Sequence, residues 1–319
     1  METHAKTYTE GVHPSTDELI KLRLQARNLH LKPTQAAKSV IAGNHHSKFR
    51  GRGMDYLETR DYQPGDDVRT MDWRVTARTG KAHIKVYQEE RERSVIVMAD
   101  FSPGMFFATE GSFKSIITAR AAALLAWATV QRGDRIGALL YNSQHHELRP
   151  AGGQRGALRL IRELVKAADP VNHTCHTNNQ PYSINDALSR LRRVVHPGSL
   201  VYLVSDFYHF DKDSRRHLQL LRQHNDVIAC QVLDRLELQV PAPGRYPVSF
   251  GNQQGILDTR SSAQSLAWTQ HFAERRRIVS EMMQQCAIPL IRLTTVDDVA
   301  CQLRKELLLP NSINGQEAA

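Results

Sequence analysis

The chain has 319 residues, of which 41% are hydrophobic and 24% are charged, and its formal net charge is +9. This apolar content is enough for a proper core, and the length exceeds that of one average domain. No apolar stretch approaches the roughly 20 residues that span a bilayer, and the first residues lack the apolar core of a signal peptide. Four cysteines without a C-x-x-C pair argue against a zinc knuckle or a disulfide framework. We therefore expect a soluble, cytoplasmic protein without membrane insertion.

The N-terminal region, residues 1–44, is predicted to form one helix followed by a linker. Ser15 opens a capping box, which is a common start of helices, and the predicted helix runs through about Leu29. Leu19 and Ala26 fall on one face of this helix, so that face is expected to pack against a core.

Residues 45–93 are predicted to form a small, charged, antiparallel β unit. The sequence Pro64-Gly65-Asp66-Asp67 is a strong turn signal, and residues 83–87 alternate like a half-exposed strand. The charges of this unit indicate either a docking surface or an internal ion-pair network around Trp73. Acid–base or metal chemistry at Asp66 and Asp67 is disfavoured, because a turn already explains adjacent carboxylates. The candidate interaction residues are Arg60, Asp66, Asp67, Arg69, Asp72, Trp73 and Arg78.

Three apolar runs, each followed by an aspartate, are predicted to be buried strands. Residues 95–99 precede Asp100, residues 200–205 precede Asp206, and residues 227–233 precede Asp234. The carboxyl ends of parallel strands meet at one edge of a sheet, which is where open α/β sheets bind ligands. Oxygen ligands gathered there suit a hard cation such as Mg²⁺. The alternative is that each aspartate only caps the next helix or turn.

The remaining pattern alternates strands with helices. Helices are predicted over 114–131, 154–168, 183–195, 212–224 and 262–285, and further strands over 135–141 and 289–293. This order is typical of a doubly wound, mostly parallel α/β sheet, here over residues 94–309. Residues 241–255, rich in Pro and Gly, are predicted to form loop and short strands. The surrounding residues 235–260 are a candidate to pack on the charged β unit, and residues 310–319 are expected to be a tail.

The strand-end residues resemble the metal-ion-dependent adhesion site of von Willebrand factor A-like domains. The resemblance lies in Asp100-Phe101-Ser102-Pro103-Gly104, in Ser183 before a later helix, and in Asp206 after a strand. It implies a Mg²⁺ or Mn²⁺ ion held by Ser102 and Ser183 directly and by Asp100 and Asp206 through waters or the outer shell. Asp234 is a more distant candidate. Gly104 stands where the family has a second serine, and Ser183 where it has a threonine. Both a working cation site and an eroded scaffold therefore stay open.

A longer stretch resembles the defining block of the "domain of unknown function 58" family. It runs from Arg60 to Trp73, continues through Thr76-Ala77-Arg78, and ends near Glu90, and the full resemblance covers about residues 45–305. Proteins of this family join the block to an A-like domain and resemble partners of MoxR-type AAA+ ATPases. The resemblance implies an adaptor with a chaperone-like role.

Three weaker motifs are not expected to be functional sites. Residues 152–156 precede a helix but lack the Gly-Lys-Ser/Thr of a P-loop, so a flexible helix entry is favoured over an anion site. Residues 173–176 offer soft metal ligands, but a structural zinc site needs four ligands and no second cluster appears. Ser102 lies in no G-x-S-x-G elbow, which argues against covalent hydrolysis.

Together these observations predict a non-enzymatic adaptor with a degenerate metal-ion-dependent adhesion site and a MoxR-type partner. A metal-dependent hydrolase at the same edge is one alternative, although the sequence nominates no general base for it. A nucleic-acid-binding protein is the other, because of the net charge of +9. The basic residues are spread over several helices instead of forming one stripe with aromatics, which disfavours nucleic acid.

Overall fold

The computed structural model describes residues 11–29, 31, 54–89, 92–142, 145–174, 183–250 and 253–308. Backbone contacts divide the chain into two compact units. One comprises Ser39–Glu92, and the other comprises Met1–Lys38 together with Arg93–Ala319. The N-terminal helix thus belongs to the unit that holds the large sheet. The predicted tail and most of the predicted N-terminal linker lie outside the described residues.

The elements follow the alternation that the sequence predicts. The strands are β1 (Met54–Asp61), β2 (His83–Glu89), β3 (Ser94–Asp100), β4 (Arg135–Tyr141), β5 (His146–Ala151), β6 (Leu200–Ser205), β7 (Asp226–Leu233), β8 (Arg245–Phe250), β9 (Gln253–Asp258) and β10 (Leu290–Thr294). The α-helices are α1 (Thr16–Ala26), α2 (Trp73–Thr79), α3 (Lys114–Gln131), α4 (Gly153–Ala168), α5 (Pro170–Thr174), α6 (Ile184–Val194), α7 (Lys212–His224), α8 (Arg235–Leu238), α9 (Ser262–Gln285) and α10 (Val299–Leu308).

A six-stranded sheet forms the centre of the larger unit, in the order β10-β7-β6-β3-β4-β5. Neighbouring strands are parallel except for β5, which pairs antiparallel with β4. Strands β3, β6 and β7 are buried along almost their whole length, because helices cover both faces of the sheet. The predicted doubly wound, mostly parallel α/β fold is confirmed.

Two apolar clusters, one on each face of the sheet, make up the core. Helices α1, α3, α4 and α10 contribute to the first cluster, and helices α6, α7 and the C-terminal part of α9 contribute to the second. Successive strand side chains alternate between them, so that Val97 lies in the first cluster and Met98 in the second.

Helix α3 is buried along almost all of its length. It packs against the sheet and against α1, and Trp127 Nε1 donates a hydrogen bond to the Leu19 carbonyl oxygen at 3.0 Å. Arg120 of α3 also pairs with Glu18 of α1. The first residue of α3 is Lys114, which is only 2% exposed. A lysine is thereby held inside the protein, at the beginning of a core helix.

The smaller unit is built on the antiparallel pair β1–β2, with α2 between these strands in the chain. The Asp72 side chain accepts hydrogen bonds from the first backbone N–H groups of α2, and the helix ends at Gly80, whose φ of 72° lies in the left-handed region that glycine favours. The predicted antiparallel unit is confirmed, whereas α2 was not predicted.

The segment predicted as loop and short strands contains the hairpin β8–β9. Its packing on the charged unit stays a prediction. Among the helices that the structure describes, none combines the length and the apolar character needed to cross a bilayer.

Candidate functional site

The candidate site lies at the carboxyl edge of the sheet, where β3 and β6 end side by side. From β3 the chain first adds β4 and β5 on one side, then crosses to add β6 and β7 on the other. Such a change of direction opens a crevice at the carboxyl ends of the strands. Asp100 is the last residue of β3 and Asp206 directly follows β6. The structure therefore brings these two predicted residues to one crevice.

Each strand-end aspartate accepts a hydrogen bond from the backbone N–H two residues later in the chain. The donors are Ser102 N to Asp100 at 2.8 Å, Tyr208 N to Asp206 at 2.9 Å, and Leu236 N to Asp234 at 2.9 Å. Each of the three aspartates therefore caps the turn or helix that follows it, in addition to its other contacts. Each carboxylate can accept further hydrogen bonds, and the partners of these remaining lone pairs determine what the site can bind.

Asp100 is a buried carboxyl group with a perturbed proton affinity. It is 4% exposed, and its Oδ2 accepts a hydrogen bond from Ser205 Oγ at 2.6 Å. Burial and the negative charge of Asp206 raise the pKa of Asp100 to about 6, although the hydrogen bonds from Ser205 and Ser102 act in the opposite direction. Because each of the two carboxylates disfavours the negative charge of the other, a cation nearby would stabilise both.

Two serines hold the Asp100 carboxylate in place. Ser102 is buried, and both its backbone N–H and its side chain stabilise the carboxylate. Ser205, which the sequence analysis did not select, donates to Asp100 and accepts from Phe207 N at 3.0 Å. A serine at the last position of a buried strand gives no signal of such a role, because its partner lies 105 residues earlier in the chain.

A strained turn follows Asp206. Phe207 has a φ of 57°, which is uncommon for a bulky residue and costs about 1–3 kcal/mol. The buried Phe207 ring packs edge-on against Phe210 with 4.8 Å between centroids, and this packing offsets the strain. The turn places Asp206 in the crevice and Tyr208 at the surface.

Lys114 supplies the positive charge at this edge. Its Nζ lies 3.4 Å from Asp206 Oδ2 and donates a shorter hydrogen bond to Glu237 Oε1. Burial alone would lower the pKa of Lys114, but the charges of Asp206 and Glu237 outweigh burial and hold it above its ordinary value. The ammonium is therefore charged at neutral pH. Neither Lys114 nor Glu237 was selected from the sequence.

The two remaining predicted positions of the motif, Ser183 and Gly104, differ in their surroundings. The Ser183 hydroxyl accepts from Asp186 N at 3.3 Å and so caps its own helix α6. No hydrogen bond joins Ser183 to Asp100, Ser102 or Asp206 in the part of the chain that the structure describes. Gly104 does face the site, because a Cβ added there would lie 3.6 Å from Asp206 Oδ2.

These residues do not fit the divalent cation that the family resemblance implies. Of the three expected direct hydroxyl ligands, Gly104 has none and Ser183 is used as a helix cap, which leaves Ser102. The Lys114 ammonium already contacts the carboxylate that would face the ion. Within the described residues, no group of three or more His, Cys, Asp or Glu side chains is placed to hold a metal ion. The donor set is that of an ion-pair cluster and not of a Mg²⁺ site.

Asp234, the more distant candidate, is fully engaged in holding loops together. Its carboxylate accepts from both the N–H and the hydroxyl of Thr109, and from Thr295 Oγ1 at 2.9 Å, in addition to the bond from Leu236. Burial alone would raise the pKa of Asp234, but the hydrogen bonds from Thr109, Leu236 and Thr295 lower it below its ordinary value. Asp234 thus joins the loops that follow β3, β7 and β10, and it presents no free lone pair to a metal.

A small cavity of about 20 Å³ opens beside the ion-pair cluster. Its lining includes Asp206, Gln231, Glu237 and Arg275. Gln231 is buried, and neither its Oε1 nor Arg275 Nε has a hydrogen-bond partner among the described residues. This volume suits one water-sized polar group and is far below that of a small-molecule pocket.

The carboxylates of the charged unit are used locally. Asp66 pairs with Arg60 at 2.8 Å and accepts from Gln63 N, which fixes the predicted turn. Asp67 and Asp72 cap the two short helical segments that follow. The interpretation of these aspartates as structural is supported, and none of them bonds to Trp73 within the described residues.

Trp73 and its surroundings form an exposed surface. Trp73 is 69% exposed and Val68 is 57% exposed. The side chains of Arg69, Arg74 and Arg78 make no ion pair with any described residue. Exposed aromatic and arginine side chains are typical of binding surfaces. The unit thus combines a structural set of carboxylates with a free aromatic and basic surface, and we name Val68, Arg69, Trp73, Arg74 and Arg78 the Trp73 surface.

The weaker motifs add no second site. Gly152 is the N-cap of α4 and makes no side-chain bond there, as expected of a simple helix entry. Cys175 and His176 of the motif over residues 173–176 lie outside the described residues. Cys230, Cys286 and Cys301 are unpaired.

The fold and this edge define a doubly wound α/β protein with a polar cluster at the carboxyl ends of its central strands. Residues 58–277 match the family described as "Protein of unknown function DUF58". The chain belongs to this family, as its sequence motifs predicted.

Curated relatives are similar along nearly the whole chain. "Uncharacterized protein Rv1480" of Mycobacterium tuberculosis is 29% identical over 284 residues, which cover 87% of this chain and 86% of that protein. "Uncharacterized protein Mb1516" of Mycobacterium bovis gives the same values.

Three solved structures show partial similarity to this backbone. The conserved hypothetical protein BatB from Bacteroides thetaiotaomicron is 13% identical with a TM-score of 0.41, covering 67% of this chain and 97% of that one. A von Willebrand factor type A protein from Catenulispora acidiphila is 11% identical with a TM-score of 0.37, covering 71% and 44%. The SpRpn10 VWA domain is 7% identical with a TM-score of 0.38, covering 72% and 100%.

Proposed function

We propose that this protein is a non-enzymatic adaptor of the cytoplasm that binds a protein partner at the carboxyl edge of its sheet. The observation that carries the proposal is the convergence of Asp100, Ser102 and Asp206 at the crevice between β3 and β6. The sequence around them supports the same interpretation, because these positions match an adhesion-type motif.

The surface beside the crevice has the composition of a protein-binding site. Tyr208 is 43% exposed and follows Asp206 by two residues. The Arg275 guanidinium lies 4.6 Å from the centre of the Tyr208 ring and donates to the Tyr208 carbonyl oxygen. Tyrosine and arginine are enriched among residues that dominate binding energy, and a held guanidinium loses little freedom on binding. The adjacent 20 Å³ cavity, where Gln231 Oε1 has no hydrogen-bond partner among the described residues, suits the tip of one partner side chain.

The proposed partner is a MoxR-type AAA+ ATPase, and the proposed role is to couple that ATPase to clients in a chaperone-like assembly. The resemblance of the charged block to its family supports this choice of partner. The net charge of +9 favours the approach of an acidic protein surface. The Trp73 surface offers a second contact on the smaller unit.

Direct binding to a purified MoxR-type ATPase from the same organism tests the proposal. Wild type is compared with Tyr208→Ala/Arg275→Ala and with the control Arg155→Ala/Leu158→Ala, which removes an exposed arginine and an exposed leucine from α4. We expect at least about tenfold weaker binding for the first double variant and no change for the control. Equal binding by all three proteins, or none by wild type, would contradict the proposal. A parallel titration with nucleic acid, which binds the wild type if the basic surface serves that purpose, tests the nucleic-acid alternative.

A further inference from the structure

We infer that the Lys114 ammonium takes the place of the divalent cation at the carboxyl edge and supplies the positive charge there, so that this edge operates without a metal ion. The inference deepens the proposed docking function, because it defines what holds the docking edge together. Its main test measures metal binding by the protein alone and does not depend on a partner.

The position of Lys114 is the first argument. A lysine that is 2% exposed costs much free energy unless its charge is compensated. Here Asp206 Oδ2 lies 3.4 Å away and Glu237 Oε1 is closer. The ammonium thus bridges the loop after β6 and helix α8 after β7, as a metal ion would bridge two carboxylates.

The competition for the same oxygens is the second argument. Mg²⁺ binds oxygen at about 2.1 Å in an octahedral shell. Whether Asp206 Oδ2 held the ion directly or through one water, the ion would lie within several ångströms of the Lys114 ammonium, and the two positive charges would repel each other strongly in this enclosed environment. Lys114 and a divalent ion therefore exclude one another.

The loss of ligands is the third argument, and it agrees with the second. Gly104 faces Asp206 Oδ2, but it supplies no oxygen. Ser183 supplies its hydroxyl to the N–H of Asp186. A site whose charge comes from a lysine has no use for a hydroxyl ligand at position 104, which explains the glycine there.

The structure thus predicts how a metal site would be restored. Gly104 has an ordinary φ, and a Cβ there lies in normal contact with Asp206, so a serine fits and would aim an oxygen at the crevice. Lys114→Gln removes the competing positive charge and leaves the Asp206 and Glu237 carboxylates uncompensated, which favours binding of a cation. Both changes together are expected to create Mn²⁺ affinity, whereas Gly104→Ser alone is not, because Lys114 would still compete.

Titration with Mn²⁺, followed by the electron paramagnetic resonance signal of the free ion, measures this directly. We expect wild type and Gly104→Ser to bind with dissociation constants above about 1 mM, which is the weak limit of biological sites. We expect Gly104→Ser/Lys114→Gln to bind at least about tenfold more tightly. The control Lys166→Gln removes an exposed lysine from a pair with Glu163, and it should leave Mn²⁺ binding unchanged.

Two results would overturn the inference. One is tight Mn²⁺ binding by wild type that Asp206→Asn abolishes. The other is a gain of binding in Gly104→Ser alone. Wild type, Asp206→Asn and Gly104→Ser all keep Lys114, so both results can be interpreted even if the Lys114→Gln variant does not fold.

Partner binding separates this inference from the proposed function. If the ATPase binds wild type equally with Mg²⁺ and with chelator, both stand. If wild type binds no Mn²⁺ and also no ATPase, the docking function fails while the role of Lys114 stands. If ATPase binding requires Mg²⁺ at this edge and is lost in Asp206→Asn, the docking function stands and the inference fails.

Discussion

Lys114 Nζ lies 3.4 Å from Asp206 Oδ2 although 92 residues separate the two in the chain. The bond joins the beginning of a core helix to the loop after a central strand. Because Glu237 shares the same ammonium, two helices and one loop of the carboxyl edge meet at one buried charge. The edge is therefore held by an internal ion-pair cluster.

Lys114→Met should destabilise the protein by about 3–5 kcal/mol, because it leaves Asp206 and Glu237 uncompensated inside the fold. The additional change Asp206→Asn should recover part of this loss, since it removes one of the two stranded charges. Urea unfolding at pH 7 measures both effects. Lys166→Met, which breaks an exposed pair with Glu163, serves as the control and should cost less than about 1 kcal/mol. A loss for Lys114→Met as small as that of the control would mean that the cluster contributes little.

Asp100→Asn should stabilise the protein at neutral pH. The pKa of Asp100 is raised from 3.8 to about 6, so in the folded state the ionised form is disfavoured. Below pH 3.8 Asp100 is protonated in both the folded and the unfolded protein, so its charge does not affect stability. As pH rises, ionisation of Asp100 destabilises the folded state, and this destabilisation is complete above about pH 6. The shift corresponds to at most about 3 kcal/mol.

Urea unfolding of wild type and Asp100→Asn across pH 4 to 8 tests whether ionised Asp100 destabilises the folded protein. Asp213→Asn, at an exposed position on α7, is the control. The two unfolding free energies should differ little at acid pH and diverge in favour of the asparagine variant above about pH 6. Destabilisation of the same size at all pH values would show that the hydrogen bonds of Asp100 outweigh its charge.

Asp234→Asn should loosen three loops at once. The change weakens the hydrogen bonds from Thr109, Leu236 and Thr295, and about 2–4 kcal/mol of unfolding free energy should be lost at pH 7. Because the pKa of Asp234 lies below its ordinary value in the folded state, its stabilisation is present above the ordinary value and is lost as pH falls through the folded one. The difference between wild type and variant should therefore shrink in acid. Thr295→Val, which removes one of these hydrogen bonds, should lower the free energy of unfolding by a smaller amount. An equal loss would argue against Asp234 holding all three loops together.

The sequence predicted the elements with strong periodicity. The helix over residues 212–224 and the strand over residues 135–141 have the predicted bounds, because each carries a complete hydrophobic pattern. Strand β5 and helices α5, α8 and α10 were not predicted. The first three are too short for a pattern to stand out, and β5 pairs with only one neighbour.

The site was predicted only where local sequence determined it. Asp100, Ser102 and Asp206 could be found because strand ends are visible in the sequence and parallel strands bring their ends together. Lys114 could not, since a lysine at the start of a predicted helix is normally exposed, and its partners lie 92 and 123 residues away. Ser183 was selected for a hydroxyl that a helix N-cap uses equally well, and in the structure it is such a cap.

Stability and binding should depend on different residues of the charged unit. Trp73→Ala should leave stability almost unchanged, because the side chain is 69% exposed, yet it should weaken binding to the ATPase by at least about tenfold if the Trp73 surface is a docking site.

Asp72→Ala should have the opposite profile. It removes the N-cap of α2 and should cost about 1 kcal/mol of stability, with little effect on binding under conditions where the unit stays folded. Thermal unfolding together with binding to the purified ATPase distinguishes the two. Loss of stability in Trp73→Ala without loss of binding would make the tryptophan a structural residue, and docking would then belong to the carboxyl edge alone.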